Sequence, residues 1–436
     1  MRSTELLRPL GSLESFFSWA NAKFGAFTIA AVFRVSGHLD VEQLQRAVAN
    51  TLTADPLLSS VIVGPASRAP GFHRVPVPIA IVDVLHRHSD CFWQQVLQEN
   101  VNRPFACVDG NCGPLFGMTV LLGSGKHELV VRIHHSVCDG RGLLTLCNRI
   151  LAAYERLRQS SDALHPEALE VARPVCGRVK IHRRLAATMC LLQSGAVDAF
   201  RGGSAGKLKS EGPEAECTGP TVTTCLSLTE QETSDFIQAC RIEQTTVNAA
   251  IAAAGLQVAA QPGYLQAELS IQTNLDLRPR LSVPSSLETV GLCSYWESTR
   301  HAPGRADTFW ELAREYRYAL NAKADKYGVP PLGFAFIAKA FLSLSARSKQ
   351  RGRTSDLMLS NLGLVEAQSV NQSLQVDEFF FATSQCGIGS RIGLTAATVQ
   401  KRLCLTCLTL APEAPLRGQK FLQDLRHAIA VRPTGE

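Results

Sequence analysis

Ile133-His134-His135-Ser136-Val137-Cys138-Asp139-Gly140 is the stretch whose reading decides the fold of this 436-residue chain. Before it, Leu129, Val131, Ile133 and His135 fall on one face of an expected strand, and Val130, Arg132 and His134 on the other, because successive strand side chains alternate. After it, Leu143, Leu146, Cys147, Ile150, Leu151 and Tyr154 recur at helical spacing. The stretch sits where strand gives way to helix. With the alternation carried to its end, His135 emerges from the apolar face and His134 does not. An imidazole half shielded from water at such a junction stays neutral near neutral pH and can accept a proton from a nucleophile. Asp139 is close enough to fix the turn, and Gly140 admits a close backbone approach.

Outward from this junction, Leu115–Leu122 and His127–His134 flank Gly123-Ser124-Gly125-Lys126 as a hairpin. Ala26–Val35 reads as a strand, and Asp40-Val41-Glu42-Gln43 as a capping box ahead of Val41, Leu44, Val48 and Leu52. Residues 158 to about 220 are rich in Ser, Gly, Pro, Arg and Lys, with a basic helical patch near Ile181–Phe200. They read as an interdomain connection, the patch being a solvated helix in preference to a membrane or carrier contact. Beyond it come a second capping box at Thr229–Glu232, an alternating strand from Leu269 to Arg278 and a helix through Phe309, Leu312, Tyr316 and Leu320. Strands at Leu357–Asn361, Phe379–Thr383, Gly393–Val399 and Leu403–Leu410 and a closing helix at Phe421–Ile429 follow. Both halves mix strands and helices without regular βαβ alternation, which indicates an α+β fold. The division expected is 1–170, a connection over 171–220, and 221–436.

Bulk composition narrows the function classes. Net charge is +6 and no Lys/Arg run is interleaved with aromatics, which argues against nucleic acid and only weakly for an anionic carrier. The N-terminus has no apolar signal segment, and the apolar runs fall short of the ~20 residues that span a membrane; a cytoplasmic protein with at most transient membrane contact is expected. Fourteen cysteines without framework spacing read as small buried hydrophobes. Cys404 and Cys407, three apart on an expected strand, point to opposite faces, so the CxxC spacing is not read as a zinc or redox site. No metal is expected: His134 and His135, adjacent on a strand, diverge and would not share one ion with Asp139. Cys138, the nearest thiol, is weighed as a nucleophile and set aside. Gly387–Gly393 looks like a phosphate loop, but its spacing fits a hairpin turn better.

The central stretch resembles the HHxxxDG motif of the condensation and acyltransferase superfamily. Asn274-Leu275-Asp276-Leu277-Arg278-Pro279-Arg280 resembles that superfamily's Asn-x-x-x-Arg-Pro segment, and Ser360-Asn361-Leu362-Gly363 its Ser-Asn-x-Gly strand end. The three occur in the family order across most of the chain. The overall look is closest to stand-alone alcohol O-acyltransferases such as the mycobacterial dimycocerosyl transferases, and more distantly to condensation domains of non-ribosomal peptide synthetases. The DFGWG motif of plant acyltransferases is absent. The resemblance implies two chloramphenicol acetyltransferase-like α/β-sandwich lobes in a V, with a channel between them. It implies His135 as general base, Asp139 in a structural ion pair for which Arg278 is the candidate, and Asn274 and His134 in support. Gly140, Ser360 and Asn361 become candidates for stabilising an oxyanion. No bound cofactor is implied; the co-substrate is a thioester, acyl-CoA or acyl-carrier protein, and the acceptor an alcohol. An amide-forming condensation enzyme and a non-catalytic carrier-binding module are the rival readings, and the oligomeric state stays open.

Overall fold

The structure, a computed structural model, describes residues 5–75, 82–159, 169–189, 219–261, 268–281, 290–305, 308–345, 353–365, 374–385, 389–410 and 414–430. The first half runs β1 (Leu6–Pro9), α1 (Ser12–Phe24), β2 (Thr28–Gly37), α2 (Val41–Ala54), β3 (Ser60–Val63), β4 (Gly71–Arg74), β5 (Val82–His86), α3 (Phe92–Asn102), β6 (Cys107–Val108), β7 (Asn111–Cys112), β8 (Phe116–Leu122), β9 (Lys126–His134) and α4 (Gly140–Gln159), followed by α5 (residues 181–189). The second half runs β10 (Thr221–Ser227), α6 (Glu230–Ile242), α7 (Val247–Ala259), β11 (Leu269–Asp276), β12 (Ser294–His301), α8 (Phe309–Tyr327), α9 (Phe334–Ser345), β13 (Arg353–Leu364), β14 (Leu374–Thr383), β15 (Gly389–Val399), β16 (Arg402–Leu410) and α10 (Ala414–Ala430).

Local chemistry explains several of these boundaries. α1 stops at Gly25, whose φ of 64° closes the helix in the left-handed conformation. α2 starts on Asp40, whose carboxylate accepts the Gln43 N–H, although the Gln43 side-chain oxygen finds no partner. α6 has the full reciprocal box between Thr229 and Glu232. α7 is buried all round, Ala249 to Leu256 without interruption, which makes the short apolar run a core helix.

The strands form three sheets. One has the order β14-β2-β9-β8-β5, the second β10-β16-β15-β13-β11-β12, and a small third β1-β4-β3-β7-β6. The architecture is α+β, as expected. β14 comes from the stretch assigned to the C-terminal lobe, yet it pairs antiparallel with β2, from Leu374 opposite Gly37 to Thr383 opposite Ile29. Its Phe379 and Phe381 enter the core of the N-terminal half beside Phe33 and Leu129, while Phe380 and Ala382 face the other way, with Val32, Met358 and Leu408, between the two large sheets. A strand apolar on both faces needs cover on both, and this place supplies it. Cys404 and Cys407 of β16 likewise enter separate clusters, one with Val32 and Trp93 and the other with Phe421 and Leu425.

β9 is buried on both faces: Val130 lies between the large sheets, and Glu128, Arg132 and His134 are buried as well. In the connection, residues 190–218 lie outside the described residues. Of the basic helical patch, the described residues 181–189 leave Ile181, Leu185 and Met189 exposed, while Ala187 packs with Val175, Cys176 and Val179 into a core with α1 and α9. Arg184 also donates to the carbonyls of Pro330 and Pro331.

Candidate active site

β9 ends at His134, so a turn rather than strand alternation places His135. His134 O accepts the Val137 N–H at 2.9 Å. His134 Nδ1 accepts the Ser136 N–H at 3.0 Å, and Ser136 Oγ donates to Glu14 O of α1 at 2.7 Å. His135 Nδ1 lies 3.0 Å from Cys138 O. A carbonyl only accepts, so Nδ1 carries the proton and Nε2 presents its lone pair. No hydrogen bond to Nε2 is formed among the described residues. The ring stacks on Phe17 with centroids 4.0 Å apart and planes 8° apart, and Phe27 meets it edge-on at 6.4 Å. His135 is half-buried. Burial pushes its pKa below the usual 6.5, against the upward pull of Asp139 and Cys138 O, so the neutral form prevails at neutral pH.

His134 is the opposite tautomer. Its Nδ1 is an acceptor, which leaves the proton on Nε2, a buried atom without a partner. Burial, with His135 beside it, lowers its pKa to about 3.

Asp139 caps α4 and anchors it to the second half. Its Oδ1 accepts the Gly142 N–H at 2.8 Å, which satisfies a first-turn donor of the helix. Its Oδ2 accepts the Cys293 N–H at 2.8 Å. Arg278 grips both oxygens, Nη1 on Oδ2 at 3.1 Å and Nη2 on Oδ1 at 3.2 Å, and also donates to Asp276 Oδ1 and Gly291 O. The ion-paired side chains are 1% and 4% exposed, so the bidentate bonds are needed to offset desolvation. The alternating pattern carries the expected strand to Arg278, but β11 ends at Asp276 and Arg278 lies in the 3-10 turn Arg278–Arg280.

The other expected residues are spread around this centre. Gly140 opens α4, and a Cβ built there would lie 3.1 Å from Leu362 of β13. Arg141 donates to Leu362 O at 3.4 Å. This brings the Ser360–Gly363 strand end against the first turn of α4. Asn361 Oδ1 accepts the Gly363 N–H, where Gly363 turns at φ 71°. Neither Ser360 nor Asn361 hydrogen-bonds His135. Asn274 is exposed and lies opposite Trp296 in the β11–β12 ladder.

Sequence reasoning missed the rest of the wall. Phe16 and Phe17 of α1, Phe27, Tyr295 and Trp296 of β12, and Phe334 of α9 form a continuous set of edge-on, tilted and stacked ring contacts. Gly142 was missed too. A Cβ there would lie 2.7 Å from Cys138 Cβ and 2.9 Å from Gly291 O, so only glycine lets α4 approach this backbone.

An imidazole with a free Nε2, set in an aromatic wall built from both halves of the chain, can accept a proton from a bound molecule. The fold is one shared with solved condensation and acyltransferase structures. Residues 219–406 match the family described as phthiocerol/phthiodiolone dimycocerosyl transferase C-terminus. Polyketide synthase associated protein 5 from Mycobacterium tuberculosis is a similar solved structure, with 17% identity, a TM-score of 0.68 and 98% of each chain covered. Trichothecene 15-O-acetyltransferase from Fusarium sporotrichioides shares 11% identity with a TM-score of 0.71, over 97% of this chain and 94% of that one. The condensation domain of the monacolin K polyketide synthase shares 14% identity with a TM-score of 0.68, over 98% and 97%. No curated protein matches the sequence.

Proposed function

We propose that this protein is an acyltransferase that moves an acyl group from a CoA or carrier-protein thioester to an alcohol, with His135 as general base. The observation that carries the reading is the tautomer of His135: Nδ1 is held as a donor by Cys138 O, and Nε2 is left as the basic atom. In the proposed step the acceptor hydroxyl gives its proton to Nε2 as its oxygen attacks the thioester carbonyl. The C–S bond then breaks, and the leaving thiolate takes the proton back from the imidazolium. Phe17 acts as a positioning residue through the ring stack. The Gly140 N–H, Ser360 and Asn361 are the candidate oxyanion donors, and Asp139 with Arg278 holds the turn. The dimycocerosyl transferase match over residues 219–406 supports transfer to a hydroxyl in lipid or secondary metabolism. No helix among the described residues is long and apolar enough to cross a membrane, and we place the reaction in the cytoplasm.

The test is turnover of purified protein on acyl-CoA and acyl-carrier protein with panels of alcohols and amines. We expect ester products, and a loss of about 10²–10⁴-fold in His135→Ala with unchanged thermal unfolding. Turnover unaffected by that substitution overturns the base assignment. Amide products alone favour the condensation reading, and carrier binding without any turnover favours a non-catalytic module.

A further inference from the structure

β6 and β7 form a hairpin turned by Asp109 and Gly110, whose φ angles are 50° and 76°. Two successive positive φ values mark the tight turn that leaves no slack in register. Val108 therefore faces Asn111, and Cys107 faces Cys112. One step further out, the Gly113 N–H donates to Ala106 O at 3.3 Å. Hydrogen-bonded and non-hydrogen-bonded pairs alternate along an antiparallel ladder, so Cys107–Cys112 is a non-hydrogen-bonded pair. Such pairs stand about 4.5 Å apart at Cα, within the roughly 4.4–6.8 Å that a disulfide closes.

The sulfurs converge as the backbone requires. Phe105 O accepts from the Cys107 thiol at 3.8 Å and from the Cys112 thiol at 3.7 Å. The Asn21 side-chain amide donates toward both sulfurs, at 4.0 and 3.6 Å. Both cysteines are free thiols, Cys107 exposed and Cys112 buried. The neighbouring Cys112 thiol, with help from Asn21, draws the Cys107 pKa down, whereas Cys107 beside it together with burial drives Cys112 up. An exposed thiol with raised thiolate character beside a shielded one is the arrangement of an attacking and a resolving cysteine.

We propose that Cys107 and Cys112 are a redox modification site that closes a reversible cross-strand disulfide in response to peroxides. The Cys107 thiolate attacks one oxygen of the peroxide. The O–O bond breaks, sulfur is oxidised to the sulfenic acid, and the other oxygen leaves as hydroxide, or as alkoxide from an organic peroxide. The Cys112 sulfur then attacks Cys107 Sγ, the S–S bond forms, and the S–OH oxygen leaves as water with the Cys112 proton. Two thiols are oxidised and one peroxide is reduced. The site lies at the foot of α1: Asn21, which holds both sulfurs, follows Phe17 by one helical turn, and Phe17 is stacked on His135.

The experiment treats the full chain with hydrogen peroxide, alkylates the remaining thiols and maps the peptides by mass spectrometry. Exposed Cys91, whose sulfur has Ser89 Oγ at 3.7 Å, serves as the reference thiol. The expected result is a segment containing Cys107 and Cys112 that is two hydrogens lighter and refuses alkylation, while Cys91 is alkylated. Dithiothreitol should restore both thiols. In Cys112→Ser the oxidation should stop at a Cys107 sulfenic acid that dimedone traps. Peroxide treatment that leaves both thiols alkylatable, oxidises Cys107 alone, or links Cys107 to another cysteine overturns the proposal. So does a two-hydrogen loss that persists in Cys112→Ser. None of these readouts depends on acyl transfer.

Discussion

At His134 and His135 the backbone decides which nitrogen carries the proton, and the two neighbours are set oppositely. The consequence for pH differs between them. His134 has a native pKa of about 3 against the usual 6.5. Between those values the unfolded chain binds a proton that the native chain refuses, so stability rises with pH across the window and falls on acidification. The slope is about 1.4 kcal/mol per pH unit. Denaturant titrations from about pH 6.5 down to pH 4.5 should show the stability gap between wild type and His134→Gln narrowing by about 2–3 kcal/mol. A gap constant with pH would mean that His134 is protonated in the fold. For His135, whose pKa is also lowered by burial, the basic form persists below pH 6.5, so turnover should decline only under more acidic conditions. His135, Asp139 and Arg278 were legible as residues because their spacing matches a motif. Phe17 was not, since nothing in Ser15-Phe16-Phe17-Ser18 distinguishes a ring destined for an imidazole face from one destined for core.

On the scale of single elements, α4 shows how much one cap can carry. Asp139 closes the first turn of the helix and receives Arg278 and the Cys293 N–H from the second half. Removing its carboxylate takes from the buried guanidinium the acid that grips it bidentately and leaves it the Asp276 contact. We expect Asp139→Ala to cost about 3–5 kcal/mol, measured as a shift in urea midpoint at constant m-value. Loss of less than about 1 kcal/mol would show that Arg278 is held well enough without Asp139. The helix itself was readable from its apolar period. The end of β11 was harder: Leu269 to Leu277 alternates throughout, but the chain leaves the sheet after Asp276, because Arg278 must turn inward to reach Asp139. α1 went unread because its buried side, Leu13, Phe16, Phe17 and Ala20, is completed by residues from four distant segments.

At the level of the whole molecule, the α+β class was legible from mixed strand and helix patterns, whereas the pairing of strands was not. Local periodicity shows that Phe379–Thr383 is a strand and says nothing of its neighbour, and the neighbour is β2. The first half therefore lacks an edge strand of its own sheet. A fragment of residues 1–189 should expose the β2 edge and the core residues that Phe379 and Phe381 cover and be recovered mainly as aggregate, whereas co-expression with residues 190–436 should return a soluble complex that co-elutes on gel filtration. A soluble monomeric 1–189 fragment would refute this. The same strand exchange bears on biosynthesis. β2 and β9 leave the ribosome long before their third partner, since about 240 residues separate His134 from Leu374. At bacterial or eukaryotic elongation rates that gap lasts on the order of ten seconds or more. Throughout it the nascent chain carries an open, sticky flank, which makes this protein a natural client for chaperones that guard emerging polypeptides.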